Sequence, residues 1–333
     1  MTNLHALVWL AVARTGAALL HNAPVLRASP ARAVRGGALR MAALAPGANV
    51  LAVGNGPVFL LSAKTAAQAG YKVTIVSNRK ELFDSLLWSP ARDETPDANL
   101  RILGVESDED VSAFNEAVAT ADGLIIAFDG EQVLTDSLLD VVLPAEGGAS
   151  RVACLSKSLS GKGMGPFVSA SKVAANNEVW AAPEARVAMY KEFEAKLKKG
   201  GREVTVVRAG TMKGGGPGDP DNAAPPSMTL SEKFYAELPQ KDLVNWQLLF
   251  DCETRGIALT PGDTASGPGF KAVFTSTSSN AEPGDAGRVA LAQALVRSLS
   301  REDAANKEFG VSTAEGRDYP SDADWDAALS AVL

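Results

Sequence analysis

The chain has 333 residues, yet only two histidines and two cysteines. Both histidines, His5 and His21, lie within the first 48 residues, a stretch that contains no acidic residue and no lysine. Without that stretch the protein has no imidazole at all. A Ser-His-Asp hydrolase, a Cys-His nucleophile and a histidine metal site are therefore excluded, and Cys154 and Cys252 alone cannot assemble a thiolate zinc site. No metal site is expected, and each cysteine reads as a small core or surface residue. Any chemistry has to come from a cofactor and from Ser, Tyr, Lys, Arg or carboxylate side chains. No run of apolar residues is long enough to span a membrane, and the longest near the start, Leu4 to Ala13, is of signal-peptide length.

Residues 1–48 carry five arginines (Arg14, Arg27, Arg32, Arg35, Arg40) and many alanines. An arginine-rich, acid-free segment has the composition of an organelle transit peptide, and Ala11-Val12-Ala13 ahead of it forms an A-x-A cleavage pattern. The two parts in series resemble the signal-plus-transit leader of proteins sent to plastids of secondary endosymbiotic origin. A stromal plastid location is the expectation, with the secretory pathway as the alternative. Loss of the five arginines takes the formal net charge from −7 to −12. So acidic a body argues against a nucleic-acid partner.

The stretch from Asn49 to Lys80 carries the most information. Asn49 to Val53 is a short apolar run suited to a doubly covered parallel strand, and Gly54-Asn55-Gly56-Pro57 breaks it with residues that permit positive φ and then start a helix. A small-residue helix and a β-branched run, Val73 to Val76, complete a βαβ unit of the nucleotide-binding kind. In such a turn the first glycine allows the tight bend. The second lets backbone N–H groups approach a pyrophosphate. The usual third glycine is replaced by Phe59 in Gly54-x-Gly56-x-x-Phe59, which suggests a reshaped phosphate seat.

The second strand ends in Ser77-Asn78-Arg79 with no acidic residue before Glu81. An NAD site would place a carboxylate here for the ribose 2′-hydroxyl, whereas an arginine accommodates a 2′-phosphate. NADP is the expected cofactor. The candidate binding set is Gly54, Asn55, Gly56, Pro57, Val58, Phe59, Ser77, Asn78 and Arg79, together with the ends of later strands at Ala127, Phe128, Ser156, Ala209, Gly210 and Thr211.

Further strands are expected at Leu100 to Val105, Gly123 to Phe128, Arg151 to Leu155 and Val204 to Arg208, separated by amphipathic helices. Such alternation implies a doubly wound parallel α/β sheet. Residues 214–228, rich in Gly, Pro, Asp and Asn, read as a surface insertion or a ligand lid. Residues 214–284 are expected to form a small cap, with helices at 230–238 and 241–254 and a strand at 271–275. A helix is expected at Asp285 to Leu299, a last strand at Glu308 to Ser312 and a closing helix at Asp322 to Leu333.

Three segments carry a resemblance to the atypical short-chain dehydrogenase/reductase superfamily, NmrA-like NAD(P)-binding proteins in particular. They are the turn at Gly54 to Pro57, the run from Tyr190 through Arg208 to Gly216, and GDAGRVALAQALVRSL from Gly284. The resemblance implies a Rossmann-like single domain over residues 49–333 and a dinucleotide cofactor. It also implies a serine facing substrate after the fifth strand, for which Ser156 and Ser158 are the candidates. Catalytic members use Tyr-x-x-x-Lys, in which the lysine lowers the tyrosine pKa. Here Tyr190 is followed four residues on by Glu194, which acts in the opposite sense, and Tyr190 reads as an ordinary helix residue. Two functions stay open: an NADP-dependent reductase of a small plastid metabolite, or a non-catalytic NADP-binding protein used as a redox-responsive scaffold or assembly factor. An epimerase is disfavoured, since it needs the same pair.

Overall fold

The computed structural model describes residues 43–77, 80–104, 107–130, 132–159, 183–214, 229–233, 255–264, 285–314 and 318–333. Seven strands follow the expected plan: β1 (Asn49–Asn55), β2 (Lys72–Val76), β3 (Leu100–Leu103), β4 (Gly123–Phe128), β5 (Arg151–Lys157), β6 (Glu203–Ala209) and, late in the chain, β10 (Glu308–Ala314). Helices α1 (Pro57–Gln68), α2 (Lys80–Leu87), α3 (Asp108–Thr120), α4 (Asp136–Val142) and α5 (Pro183–Lys199) lie between them, with α6 (Arg288–Leu299) and α7 (Asp322–Val332) flanking β10.

The main sheet has eight strands in the order β3-β2-β1-β4-β5-β6-β10-β8. All pairings are parallel except the last, where the edge strand β8 (Gly256–Pro261) runs antiparallel to β10. β8 is a correction: residues 256–261 were expected inside a cap and instead extend the sheet. Its Pro261 is tolerable because an edge strand leaves one row of backbone groups unpaired. A second correction concerns Asp285–Gly287, expected as the first turn of α6. These residues form β9, which pairs with β7 (Thr211–Lys213), and Gly287 in extended conformation caps the helix that begins at Arg288. The expected helices at 230–238 and 241–254, the strand at 271–275 and the insertion from 215 to 228 lie wholly or largely outside the described residues.

Helices α1 and α6 pack side by side on one face, over a cluster that includes Phe59, Ile75, Leu291, Leu295 and Trp325. The other face buries Leu124, Ile126, Val142, Phe193 and Leu197. β4 is buried at every residue, as a central strand covered on both sides requires. The packed chain also takes in residues ahead of Asn49. Leu44 N–H donates to the Leu299 carbonyl (2.9 Å), and its side chain fills the space that a Cβ at Gly123 would need.

One ionic cluster sits unusually deep. Lys64, in the middle of α1, is fully buried, and its Nζ donates to Glu94 (2.6 Å), to the Leu87 carbonyl (2.9 Å) and to the Thr229 carbonyl (2.9 Å). It also lies 4.8 Å from the centre of the Trp88 ring. Burial pushes the Lys64 ammonium below its ordinary pKa, against the pull of Glu94. Burial alone would raise Glu94, but hydrogen bonds from Lys64 and Arg92 outweigh it and hold the carboxyl below 4.5.

The sign of the acid response follows. The unfolded chain binds a proton at Glu94 more readily than the folded one, so this contribution is complete above 4.5 and is lost as pH falls through the folded-state value. Thermal melts from about pH 7 down to about pH 3 should show a falling midpoint. Glu94→Gln should melt lower at neutral pH yet lose less on acidification. An identical acid slope in wild type and variant would exclude Glu94 as a source.

Candidate dinucleotide site

The strand order reverses between β1 and β4. On one side of β1 the chain steps outward through β2 and β3, and on the other through β4, β5 and β6. Ligands of open α/β sheets sit outside the carboxyl ends of the strands at such a reversal. The turn after β1 and the end of β4 with Asp129 and Gly130 meet at that reversal, Asn55 pairing with Phe128 and its carbonyl accepting the Asp129 N–H.

Both glycines of the first turn have positive φ, Gly54 at +154° and Gly56 at +86°. Pro57 occupies the first turn of α1, as expected of a residue with no N–H to leave unpaired. The reasons for the two glycines, however, lie inside the chain. A Cβ on Gly54 would stand 1.7 Å from the Ala127 carbonyl oxygen of β4. A Cβ on Gly56 would stand 2.6 Å from the Cβ of Asp129.

Asp129 holds the position where a phosphate is expected. Its Oδ1 accepts the Val58 N–H (2.7 Å), an N-terminal donor of α1 that no residue of that helix can satisfy. Gly56 has no side chain with which to cap, and Asp129 caps the helix from across the crevice. Its Oδ2 accepts from Arg288 Nε (2.7 Å), the first residue of α6, whose Nη1 donates to the Gly214 carbonyl (3.0 Å). The backbone of Asp129 is tied on both sides, by its N–H to the Asn55 carbonyl (3.2 Å) and by Lys157 Nζ to its carbonyl (3.1 Å). Asn55 in turn donates to Gln132 (2.9 Å).

The helix N-terminus presents the Val58 N–H where a phosphate oxygen would be held. The side chain of Asp129, in the rotamer present, occupies that place.

The other candidates divide. Phe59 belongs to the core, because its ring turns to Phe83 of α2 (centroids 6.4 Å apart, planes at 64°). A glycine is dispensable there, since the position faces a neighbouring helix. Val58, Ala127 and Phe128 are buried around the crevice, and Ser77 is buried with its N–H on the Leu103 carbonyl (2.9 Å). Asn78 and Arg79 lie outside the described residues. Ala209 ends β6, with its carbonyl accepting the Ser158 N–H (2.8 Å), and Gly210 and Thr211 lead into β7.

Ser156 is not placed as the resemblance implied, and Tyr190, read as an ordinary helix residue, is buried in α5. Ser156 is fully buried and donates to Glu194 Oε1 (2.6 Å). Tyr190 is buried, and its hydroxyl donates to the Gly130 carbonyl (3.3 Å) at the edge of the crevice. Glu194 takes Nε and Nη2 of Arg208, and Arg208 also reaches Glu308 (2.7 Å) and the Gly262 carbonyl (2.7 Å). Four residues after Tyr190 the chain has a carboxylate in a buried ion pair. Cys154, next to it, is fully buried, and desolvation drives its thiol pKa well up, which leaves it inert.

Sequence reasoning missed Asp129, Lys157 and Arg288. Asp129 was legible only as the residue after a buried strand. Arg288 stood inside a quoted segment without being singled out.

Strand order, crevice and glycine turn define an α/β protein of the doubly wound, Rossmann-like class. No protein-family model matches the chain, and no curated protein matches it. Distant likenesses occur among solved structures. One is a Bacillus halodurans protein provisionally described as an NAD-dependent epimerase/dehydratase, with TM-score 0.45 and 14% identity over 85% of this chain and 100% of that one. Another is a wide-type short-chain dehydrogenase/reductase from Veillonella parvula in complex with NADP, with TM-score 0.44 and 14% identity over 82% and 99%. The oxidoreductase ylbE from Lactococcus lactis has TM-score 0.43 and 12% identity over 84% and 95%. At this distance they add nothing to the strand order, which defines the class by itself. Among the described residues no helix is long and apolar enough to cross a membrane, and no cluster of His, Cys, Asp and Glu could hold a metal ion.

Proposed function

We propose that the chain is an NADP-binding protein that takes the dinucleotide in the crevice between β1 and β4, within the plastid to which its leader composition points. One observation carries the reading: a positive-φ glycine turn feeds a helix N-terminus at the point where the strand order reverses. The choice of NADP over NAD rests on Arg79 and on the absence of an acidic residue before Glu81.

Two uses of the bound nucleotide follow. As a reductase of a small metabolite, the protein relies on the hydride that the cofactor supplies when bound. The proton then has to come from water or from Lys157, whose Nζ lies at the carboxyl end of β5 beside the crevice. As a redox-responsive binding module, it needs no proton donor. The commitment of Ser156 to Glu194, and of Glu194 to Arg208, favours the second use.

Fluorescence titration of the full chain with NADPH and NADH tests the reading. NADPH should bind more tightly, and Arg79→Ala should weaken it about ten- to a hundredfold while leaving NADH unchanged, as loss of a charge-assisted contact implies. Equal loss for both cofactors would make Arg79 structural. Oxidation of NADPH by a panel of small carbonyl compounds, above the protein-free rate, would overturn the non-catalytic use.

A further inference from the structure

We infer that Asp129 is a built-in competitor for the phosphate seat: its carboxylate must leave the α1 N-terminus before a dinucleotide can bind, and Arg288 passes from that carboxylate to the incoming phosphate. The inference rests on the nucleotide-binding reading and adds a device that regulates it.

Two anion-binding groups of the crevice, the Val58 N–H and the Arg288 guanidinium, are engaged by one side chain. Oδ1 of Asp129 takes the Val58 N–H at 2.7 Å, and Oδ2 takes Arg288 Nε at 2.7 Å. A pyrophosphate at a helix N-terminus needs that same N–H and favours a nearby guanidinium. Carboxylate and phosphate cannot share the position, because like charges in contact repel and each requires the same donor.

Displacement asks little of the backbone. The Asp129 N–H is held by the Asn55 carbonyl and its carbonyl by Lys157, so the main chain stays in place while the side chain turns about its first torsion. Arg288 keeps its second anchor on the Gly214 carbonyl (3.0 Å), which holds the guanidinium at the crevice when the carboxylate has gone.

Gly56 also bears on the exchange. With φ at +86° and no Cβ, it leaves room for Asp129 in the closed state and for a ligand in the open one. The closed state lowers apparent affinity by the fraction of molecules in which the seat is free. Whatever draws the Asp129 carboxylate away from the α1 N-terminus, with Arg288 left in place, raises it.

The test uses the full chain and reads binding, not turnover. NADPH fluorescence titration, with inorganic pyrophosphate as competitor, is run on wild type, Asp129→Ala, Asp129→Asn and the double variant Asp129→Ala with Arg288→Met. Thermal melts run beside it confirm that each is folded, and Asp129→Asn keeps a capping oxygen should the alanine variant lose α1. Both single variants should bind NADPH at least tenfold more tightly than wild type, and the double variant should lose that gain. Binding by wild type that is as tight as or tighter than that of the single variants overturns the competitor role and leaves the nucleotide reading standing. No binding by any of the four at millimolar NADPH overturns both.

Discussion

Gly54→Ala should unfold the protein. A methyl group at this position would stand 1.7 Å from the Ala127 carbonyl oxygen, well inside any permitted contact, and the atom it meets is backbone of the fully buried central strand β4. Neither partner can move cheaply. Gly54 sits in register with Ala127 in the β1–β4 ladder, at φ +154°, where an L-residue is also strained. Relief requires the end of β1 to separate from β4, which opens the sheet where both of its faces are packed. The expected loss is about 4 kcal/mol or more, beyond the range of ordinary substitutions. Urea denaturation of the full chain provides the measurement. A variant with a midpoint close to that of wild type would mean that the turn and Ala127 are not in contact.

The same geometry revises what Gly56→Val can reveal. If Gly56 only made room for a pyrophosphate, a valine side chain there would remove binding and spare the fold. At φ +86°, with Asp129 2.6 Å from the added carbon, it also strains the turn and expels the helix cap. Loss of binding in that variant would therefore not identify a phosphate seat, whereas the Asp129 variants do.

Much of the fold was legible because it is written locally. Asn49 to Val53 and Gly123 to Phe128 are unbroken apolar runs of strand length, and the turn between β1 and α1 carries its glycines and proline in sequence. β8 was not legible. Its residues, Gly256 to Pro261, are only half covered and end in proline, and it becomes a strand by pairing with β10, some fifty residues away. The site failed in a more instructive way. The glycine pattern was read as making room for a ligand, yet the two atoms it accommodates belong to Ala127 and Asp129, both more than seventy residues along the chain. Glycine spacing states that something approaches closely and does not state what. Glu194 was legible as a carboxylate four residues after Tyr190, but its own partner, Arg208, lies on β6 and is set by the packing of α5 on the sheet.

That partner decides what happens when a Tyr-x-x-x-Lys spacing is introduced. Glu194→Lys places an ammonium four residues after Tyr190, one helical turn away, where a lysine can lower a tyrosine pKa. Here it should abolish folding rather than create a catalyst. Glu194 is nearly fully buried, accepts from Ser156 (2.6 Å) and takes both Nε and Nη2 of Arg208, itself nearly fully buried. Burial alone would depress the Arg208 pKa, and the hydrogen bond and charge of Glu194 reverse the shift, so that Arg208 ends above its ordinary value. Removal of the carboxylate leaves Arg208 with Glu308 as its remaining acidic partner, and that residue is already shared with Lys198. Breaking a buried pair of this kind costs roughly 3–5 kcal/mol, and a second cation in the same space adds repulsion to that loss. Glu194→Gln separates the two effects: it should cost about 3 kcal/mol and leave a folded protein, because the amide oxygen can still accept from Arg208. Thermal melts of the three proteins should rank wild type, Glu194→Gln and Glu194→Lys in falling order. A folded Glu194→Lys variant with a melting point near that of wild type would show that Arg208 does not depend on Glu194, and any NADPH-dependent turnover it gained would return the chain to the reductase reading.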